Sequence, residues 1–275
     1  MTLTDVSSIE EAVDAAMLPW LVGALVVVGL AVGSFLNVVV WRVPQGRSIV
    51  RPGSACPGCG HAIRARDNVP VLSWLLLRGR CRDCGEPISP RYPLVELGTA
   101  ALFGLVAWRF GYAWEVLPFL WLAGTAVALA LIDLDHKRLP DVIVLPAYVV
   151  GGLALSAISL AGGDVGSLGR AALSAVGCFA FYFILLVAQP GGMGFGDVKL
   201  AGALGLYLGW LGWGALVVGV FSAFLLGGLF ALGLLVGRRA GRKTRVPFGP
   251  WMLLGAAVGV AVGEPLWHAY LSTFS

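Results

Sequence analysis

Eight stretches of this chain are apolar over enough length to cross, or nearly cross, the roughly 30 Å of hydrocarbon in a bilayer. They run from Met17 to Val40, Leu94 to Ala107, Val116 to Ile132, Val142 to Ala161, Ala171 to Ala188, Val198 to Leu211, Trp213 to Val236 and Pro250 to Tyr270, two of them short. With 58% of its residues hydrophobic and 12% charged, the chain lacks the polar surface of a water-soluble domain of its length. The fold class expected is therefore an all-α polytopic membrane protein. The segment before the first stretch carries Asp5, Glu10, Glu11 and Asp14 and no basic residue. That is the opposite of the charge a secretory signal needs, so the first stretch reads as a retained anchor.

Lysine and arginine set the orientation. Nine arginines lie between Trp41 and Pro93, and Lys137, Arg138, Lys199 and the run Arg238, Arg239, Arg242, Lys243, Arg245 follow in alternate loops. Only Arg109 and Arg170 fall on the other side, so 17 of the 19 basic residues share one face. That face is expected to be cytoplasmic, with both termini outside. The net charge of +4 is thus accounted for by topology, and nothing resembles a DNA-reading element. Residues 1–40 read as an N-terminal segment and first helix, 41–93 as a cytoplasmic insert, and 94–275 as a membrane core. No internal repeat is evident. Glycines inside the spans, such as Gly202, Gly205, Gly209, Gly227 and Gly228, are read as permitting close helix packing.

The insert contains Cys56-Pro57-Gly58-Cys59 and Cys81-Arg82-Asp83-Cys84, two C-x2-C pairs separated by 21 residues. That is the spacing of a four-thiolate zinc site, with Gly60 and Gly85 turning each knuckle. Two disulfides or a redox pair are the alternatives, but a reducing cytoplasm preserves thiolates. Four protein ligands leave no open coordination position, so the metal is expected to be structural and to supply much of the insert's folding energy. His61 lies beside the cluster and reads as a surface residue rather than a fifth ligand. Cys178 reads as a small apolar packing residue.

Carboxylates at a membrane boundary are costly and usually functional. Asp133 and Asp135 end the third stretch, Asp141 precedes the fourth, and Asp197 opens the sixth. From Asp133 the chain crosses outward and back before reaching Asp197, so both arrive at the same boundary. Asp197 follows Gly191, Gly192, Gly194 and Gly196, a stretch too glycine-rich to be helical, which at membrane depth implies a polar or watery cavity. Two acids at close range cannot both ionise cheaply. They share a proton, one acting as base toward a water while the other donates to a scissile carbonyl. The structural alternatives are a helix-end charge paired with Lys137 or Arg138 for Asp133, and a helix N-cap for Asp197. The helix ends also give an expectation for the proton, with Asp133 protonated at a C-terminus and Asp197 ionised at an N-terminus.

Several motifs, in order, resemble the bacterial type IV prepilin peptidases, membrane aspartic proteases of the GxGD type. Gly33-Ser34-Phe35-Leu36-Asn37-Val38-Val39 with Trp41-Arg42-Val43-Pro44 is similar to the family's first-helix end. The paired C-x2-C motifs resemble its zinc-binding insert, and Arg91-Tyr92-Pro93-Leu94-Val95-Glu96 the start of its second helix. Asp133-Leu134-Asp135 with Leu139-Pro140-Asp141 is similar to its first catalytic motif, and Gly194-Phe195-Gly196-Asp197-Val198-Lys199-Leu200 to its second. The resemblance implies Asp133 and Asp197 as catalytic residues, with Gly194, Gly196, Lys199, Asp135 and Asp141 as supporting motif positions. It further implies cleavage of the basic leader of type IV prepilins and type II secretion pseudopilins, after a glycine, at the cytoplasmic face of the inner membrane. Members with the cysteine insert also methylate the new N-terminus with S-adenosylmethionine, which makes this chain a multifunctional enzyme by resemblance. No motif marks the methyl-donor site. Glu96 and Asn37 are weak candidates for it, explained almost as well by packing or boundary polarity.

Arg238 to Arg245, before Val246-Pro247-Phe248-Gly249-Pro250, reads as a basic loop against anionic lipid headgroups. Two rival functions remain. A proton-coupled transporter would need acids near span centres, whereas these lie at span ends, and an inverted repeat. A membrane scaffold with a zinc knuckle explains the cysteines but not the glycine-rich acid motif.

Overall fold

The structure, a computed structural model, describes residues 3–189, 192–237 and 247–274. The basic run from Arg238 to Arg245, and Gly191, lie outside the described residues. Among them the regular structure is helical: α1 (Leu3–Arg42), α2 (Leu72–Leu76), α3 (Arg91–Phe110), α4 (Val116–His136), α5 (Asp141–Gly162), α6 (Val165–Ala188), α7 (Phe195–Leu211), α8 (Trp213–Val236) and α9 (Gly249–Leu271). Each expected apolar stretch falls within one helix, and all but α2 are accounted for. Seven are long and apolar enough to span a membrane. The exception, α7, has 17 residues, about 25 Å at ~1.5 Å per residue. It buries eleven of them and packs on α5, α6, α8 and α9. A helix wrapped by protein does not have to match the lipid thickness.

The chain divides into two compact units, Met1–Ala128 and Leu129–Ser275. In the first, α1 lies along α3 at backbone contact. A Cβ on Gly29 would fall 2.7 Å from Ala100 Cα, and one on Gly33 2.7 Å from Glu96 Cα. Gly29 and Gly33 are four residues apart and so share one face, the small-xxx-small pattern that lets membrane helices approach where lipid offers no hydrophobic drive.

The same device builds the second unit. Gly255, Gly259 and Gly263 of α9 meet Gly219 and Ala215 of α8, and a Cβ at any of the three would lie 2.4–2.5 Å from backbone atoms of α8. Gly205 and Gly209 let α7 lie against Ser174 of α6, and Gly202 receives the Tyr148 side chain. Gly227 approaches Phe248 and Trp251, whereas Gly228 faces open space, so the packing role expected of Gly228 does not hold.

At the end of this unit away from the acids, α7 and α8 are joined by Gly212 alone. The freed helix ends there are satisfied by side chains of opposite charge. Arg170 donates to the Gly209 and Trp210 carbonyls at 2.6 and 2.7 Å, and Glu264 Oε1 accepts from the Ala215 amide at 3.0 Å. Arg170, one of the two basic residues on the minority face, thus closes the C-terminus of α7.

Candidate active site and metal centre

Asp133 lies in the last turn of α4, directly after the fully buried Ile132, and is itself 4% exposed. The helix ends when the Lys137 amide donates to the Asp133 carbonyl at 2.9 Å, with Lys137 at φ 52°. That turn directs Asp133 inward and leaves Asp135 exposed. The carboxylate pairs with neither Lys137 nor Arg138. Instead its Oδ2 accepts from the backbone amide of Gly249, the first residue of α9, at 3.1 Å. A Cβ there would fall 2.7 Å from the same oxygen, so any larger residue would displace the carboxylate. The start of α9 is fixed in turn by Phe248, whose ring lies 5.2 Å from Phe224 and 6.3 Å from Tyr182.

Asp197 sits in the first turn of α7 and is 8% exposed. Its Oδ2 accepts from the Gly194 amide at 2.8 Å, so Asp197 is not the N-cap itself, which is Gly194, but the third helical residue reaching back to the N-cap amide with one oxygen. A cap does not require burial, however, and the position of this one is set by its neighbours. A Cβ on Gly196 would meet Leu139 Cβ at 2.9 Å, and a Cβ on Gly249 would lie 3.4 Å from Leu139 Cδ2. The buried Leu139 is thus wedged between the first turns of α7 and α9. Two carboxylates from helices separated by two crossings are thereby tied to backbone on either side of one side chain, Leu139.

The supporting positions divide. Lys199 Nζ reaches both oxygens of Asp141 at 2.8 and 2.7 Å and lies 5.0 Å from the Phe195 ring centroid. The Tyr148 hydroxyl donates to the Lys199 carbonyl at 2.6 Å. Together these hold the first turn of α7 to α5. Gly194 and Gly196 shape the approach to Asp197. Asp135 is exposed. Sequence reasoning named Leu139 only as part of the first motif, without a role, and Gly249 only as part of a helix start; a glycine followed by Pro250 at the head of a helix is the signal that was available for the second.

In the first unit the four cysteine sulfurs lie within 4.8 Å of one another, with Cys56 and Cys84 Sγ 3.7 Å apart. Four thiolates ~2.3 Å from one tetrahedral ion would stand about 3.8 Å apart, so the donor set fits such an ion. The two knuckles repeat each other at an offset of 25 residues, which the sequence reading did not detect. The Cys56 amide donates to the His61 carbonyl and the Gly60 amide to Cys56, as the Cys81 amide donates to Glu86 and the Gly85 amide to Cys81. Gly60 and Gly85 have φ of 73° and 75°, the left-handed turn that this geometry requires. His61 therefore contributes its carbonyl, and its ring is exposed. Backbone amides of Cys59 and Gly58 draw the Cys56 thiol down to about 7. Arg82 of the second knuckle pairs with Asp67 of the linking segment at 2.6 Å, holding the Asp67 carboxyl below its usual range, and Arg64 reaches Asp83 at 2.9 Å.

Glu96 and Asn37 both have structural partners. The buried Glu96 Oε2 accepts from the Val71 amide at 2.7 Å, and Asn37 Nδ2 donates to the Tyr92 carbonyl at 3.3 Å. Cys178 is buried in α6, where it lines an apolar cavity with Tyr182 and Met252.

Residues 27–110 match the model of the bacterial peptidase A24 N-terminal domain, and residues 120–232 that of the type IV leader peptidase family. A protein of Aeromonas hydrophila named prepilin leader peptidase/N-methyltransferase is 40% identical over 94% of this chain and 96% of its own length. The chain belongs to the type IV leader peptidase family. Proteins with the same name from Pseudomonas aeruginosa and Neisseria gonorrhoeae are 38% and 37% identical over 90% and 91% of the chain, covering 92% and 94% of their own lengths. No solved structure matches the chain. Within the family's second matched region lie Asp133, Asp141, Asp197 and Lys199; within the first lie all four cysteines. The family assignment and the helices together make this a multi-pass membrane protein.

Proposed function

We propose that this protein is a bifunctional enzyme of the bacterial cytoplasmic membrane. It cleaves the basic leader of prepilins and pseudopilins at the cytoplasmic face and methylates the exposed amine, with S-adenosylmethionine as methyl donor. Asp133 and Asp197 are the catalytic pair. The observation that supports this reading is the burial of both carboxylates, each tied by one oxygen to a glycine amide at a helix start, with Leu139 packed between those two starts. A carboxylate placed this way has one oxygen fixed and the other available, which is what proton exchange with a water and a substrate carbonyl requires.

In the proposed reaction the ionised member takes a proton from water as its oxygen attacks the scissile carbonyl carbon. The protonated member gives its proton to the carbonyl oxygen; in the collapse of the tetrahedral intermediate the proton taken from water passes to the amide nitrogen as the C–N bond breaks, the diol hydroxyl returns a proton to the other carboxylate, and the leader acid and the new amine are released. Lys199, neutralised by Asp141, positions Asp197 by holding α7 without placing a free cation beside the pair. Cys56, Cys59, Cys81 and Cys84 hold zinc, which joins the two knuckles and stabilises the insert without joining the chemistry. The relatives' name and the family support this reading.

The test is to incubate the purified protein in lipid with a prepilin and S-adenosylmethionine and to weigh the product. Loss of the leader followed by gain of one methyl group is expected. An intact prepilin would overturn the peptidase reading, and a cleaved but unmethylated one the second activity.

A further inference from the structure

The short helix α2 presents an apolar face that its own insert does not use. Leu72, Leu75 and Leu76, at spacings of three and four, are 57%, 57% and 82% exposed. On the other side of the helix Ser73 is buried and donates to the Arg66 carbonyl at 3.0 Å, while Trp74 Nε1 donates to Ile88 at 3.0 Å. The polar face thus turns into the insert and the leucines turn away.

Two further observations say what covers them. The first is depth. The residue before α2, Val71, is held at φ 62° by the side chain of Glu96, five residues into α3 and so ~7.5 Å along it at ~1.5 Å per residue. A glutamate on a helix leans toward the helix N-terminus, so Val71 is held close to the level of Arg91 and Tyr92, where α3 enters the membrane. The second is charge. From Asn68 to Arg80 there is no acidic residue, and the segment ends in Arg78 and Arg80, which are exposed and make no ion pair among the described residues.

We propose that α2 is an interfacial membrane anchor. Leu72, Leu75 and Leu76 insert among the acyl chains of the inner leaflet, and Arg78 and Arg80 bind anionic lipid phosphates. Glu96 fixes the depth of this anchor, and the metal-binding knuckles are thereby held against the bilayer. The inference rests on the proposed cytoplasmic orientation of the insert and not on the peptidase chemistry. An apolar face rimmed by arginine at headgroup level matches the general chemistry of interfacial helices.

The test uses the full chain carrying p-benzoylphenylalanine in place of Leu76, in nanodiscs of phosphatidylcholine with or without phosphatidylglycerol and with or without a prepilin. Lipid adducts are expected on illumination, increased severalfold by phosphatidylglycerol, and that increase is expected to vanish in an Arg78→Glu/Arg80→Glu background. In the unmodified chain, amides 72–77 are expected to exchange deuterium at least tenfold more slowly with phosphatidylglycerol than in phosphatidylcholine alone. Adducts to the prepilin would overturn the proposal in favour of a substrate groove, and adducts to a second copy would do so in favour of an oligomer contact. Absence of adducts with unchanged exchange would overturn it in favour of a solvated helix. Leader cleavage, measured in the same nanodiscs, reports separately on the proposed activity.

Discussion

Replacing Gly249 by alanine tests the geometry around Asp133. The added Cβ would stand 2.7 Å from Asp133 Oδ2, whereas ordinary contact begins at 3.4 Å, so the carboxylate must retreat by the difference, about 0.7 Å, or α9 must shift. Either movement stretches the 3.1 Å bond from the Gly249 amide. A hydrogen bond contributes about 0.5–1.5 kcal/mol to a neutral acceptor and about 1.5–3 kcal/mol to a charged one, which together span ~2- to 150-fold at ~1.4 kcal/mol per tenfold. Displacement of a reacting group by ~1 Å can cost about 100-fold by itself. The expected loss in kcat/KM for leader cleavage is therefore about 10- to 100-fold, measured with purified protein in nanodiscs and normalised to the folded fraction.

Gly255→Ala provides the control. Its Cβ would fall 2.5 Å from the Gly219 carbonyl, six residues and so ~9 Å along α9 from Gly249. It is expected to lower stability by about 1–3 kcal/mol through overpacking, with kcat/KM of the folded fraction unchanged. Cleavage by Gly249→Ala at the unsubstituted rate would refute the positioning of Asp133 by α9.

Lys199→Ala removes an ion pair that is partly exposed on both sides and worth ~0–1 kcal/mol; leader cleavage is expected to fall by less than about tenfold, and complete loss would show that Lys199 acts in the chemistry. Gly151→Ala places a Cβ 2.5 Å from the Tyr207 ring, which is fully buried, so thermal unfolding in detergent is expected to drop by the equivalent of about 1–3 kcal/mol. Cys81→Ser is expected to abolish bound zinc, read by atomic emission, and to expose residues 54–88 to protease.

The spans were legible because hydrocarbon demands long apolar runs, and each expected stretch falls within one helix. Their ends extended further, as at Asp133, because a helix continues until a residue such as Lys137 turns out of it, and polar residues inside a protein interior do not stop it. The cysteine spacing carried its own geometry, since four thiolates can close only around one centre. What hydropathy could not carry was the contact between elements distant in sequence. Nothing local to Gly249 says that its amide will meet Asp133, and Leu139 looks like any boundary leucine until α7 and α9 are packed on either side of it. Glycine packing was half legible for the same reason: Gly205 and Gly228 look alike in sequence, and only the neighbour opposite tells them apart.

The most direct test is leader cleavage by Asp133→Asn and Asp197→Asn, each purified, reconstituted in lipid and checked for bound zinc and for the stability of the unsubstituted protein. Asparagine keeps the shape and can still accept the Gly249 or Gly194 amide bond, so folding is expected to persist while neither variant releases leader above background. A folded variant of either kind that cleaves at close to the unsubstituted rate would contradict the aspartate pair as the catalytic centre.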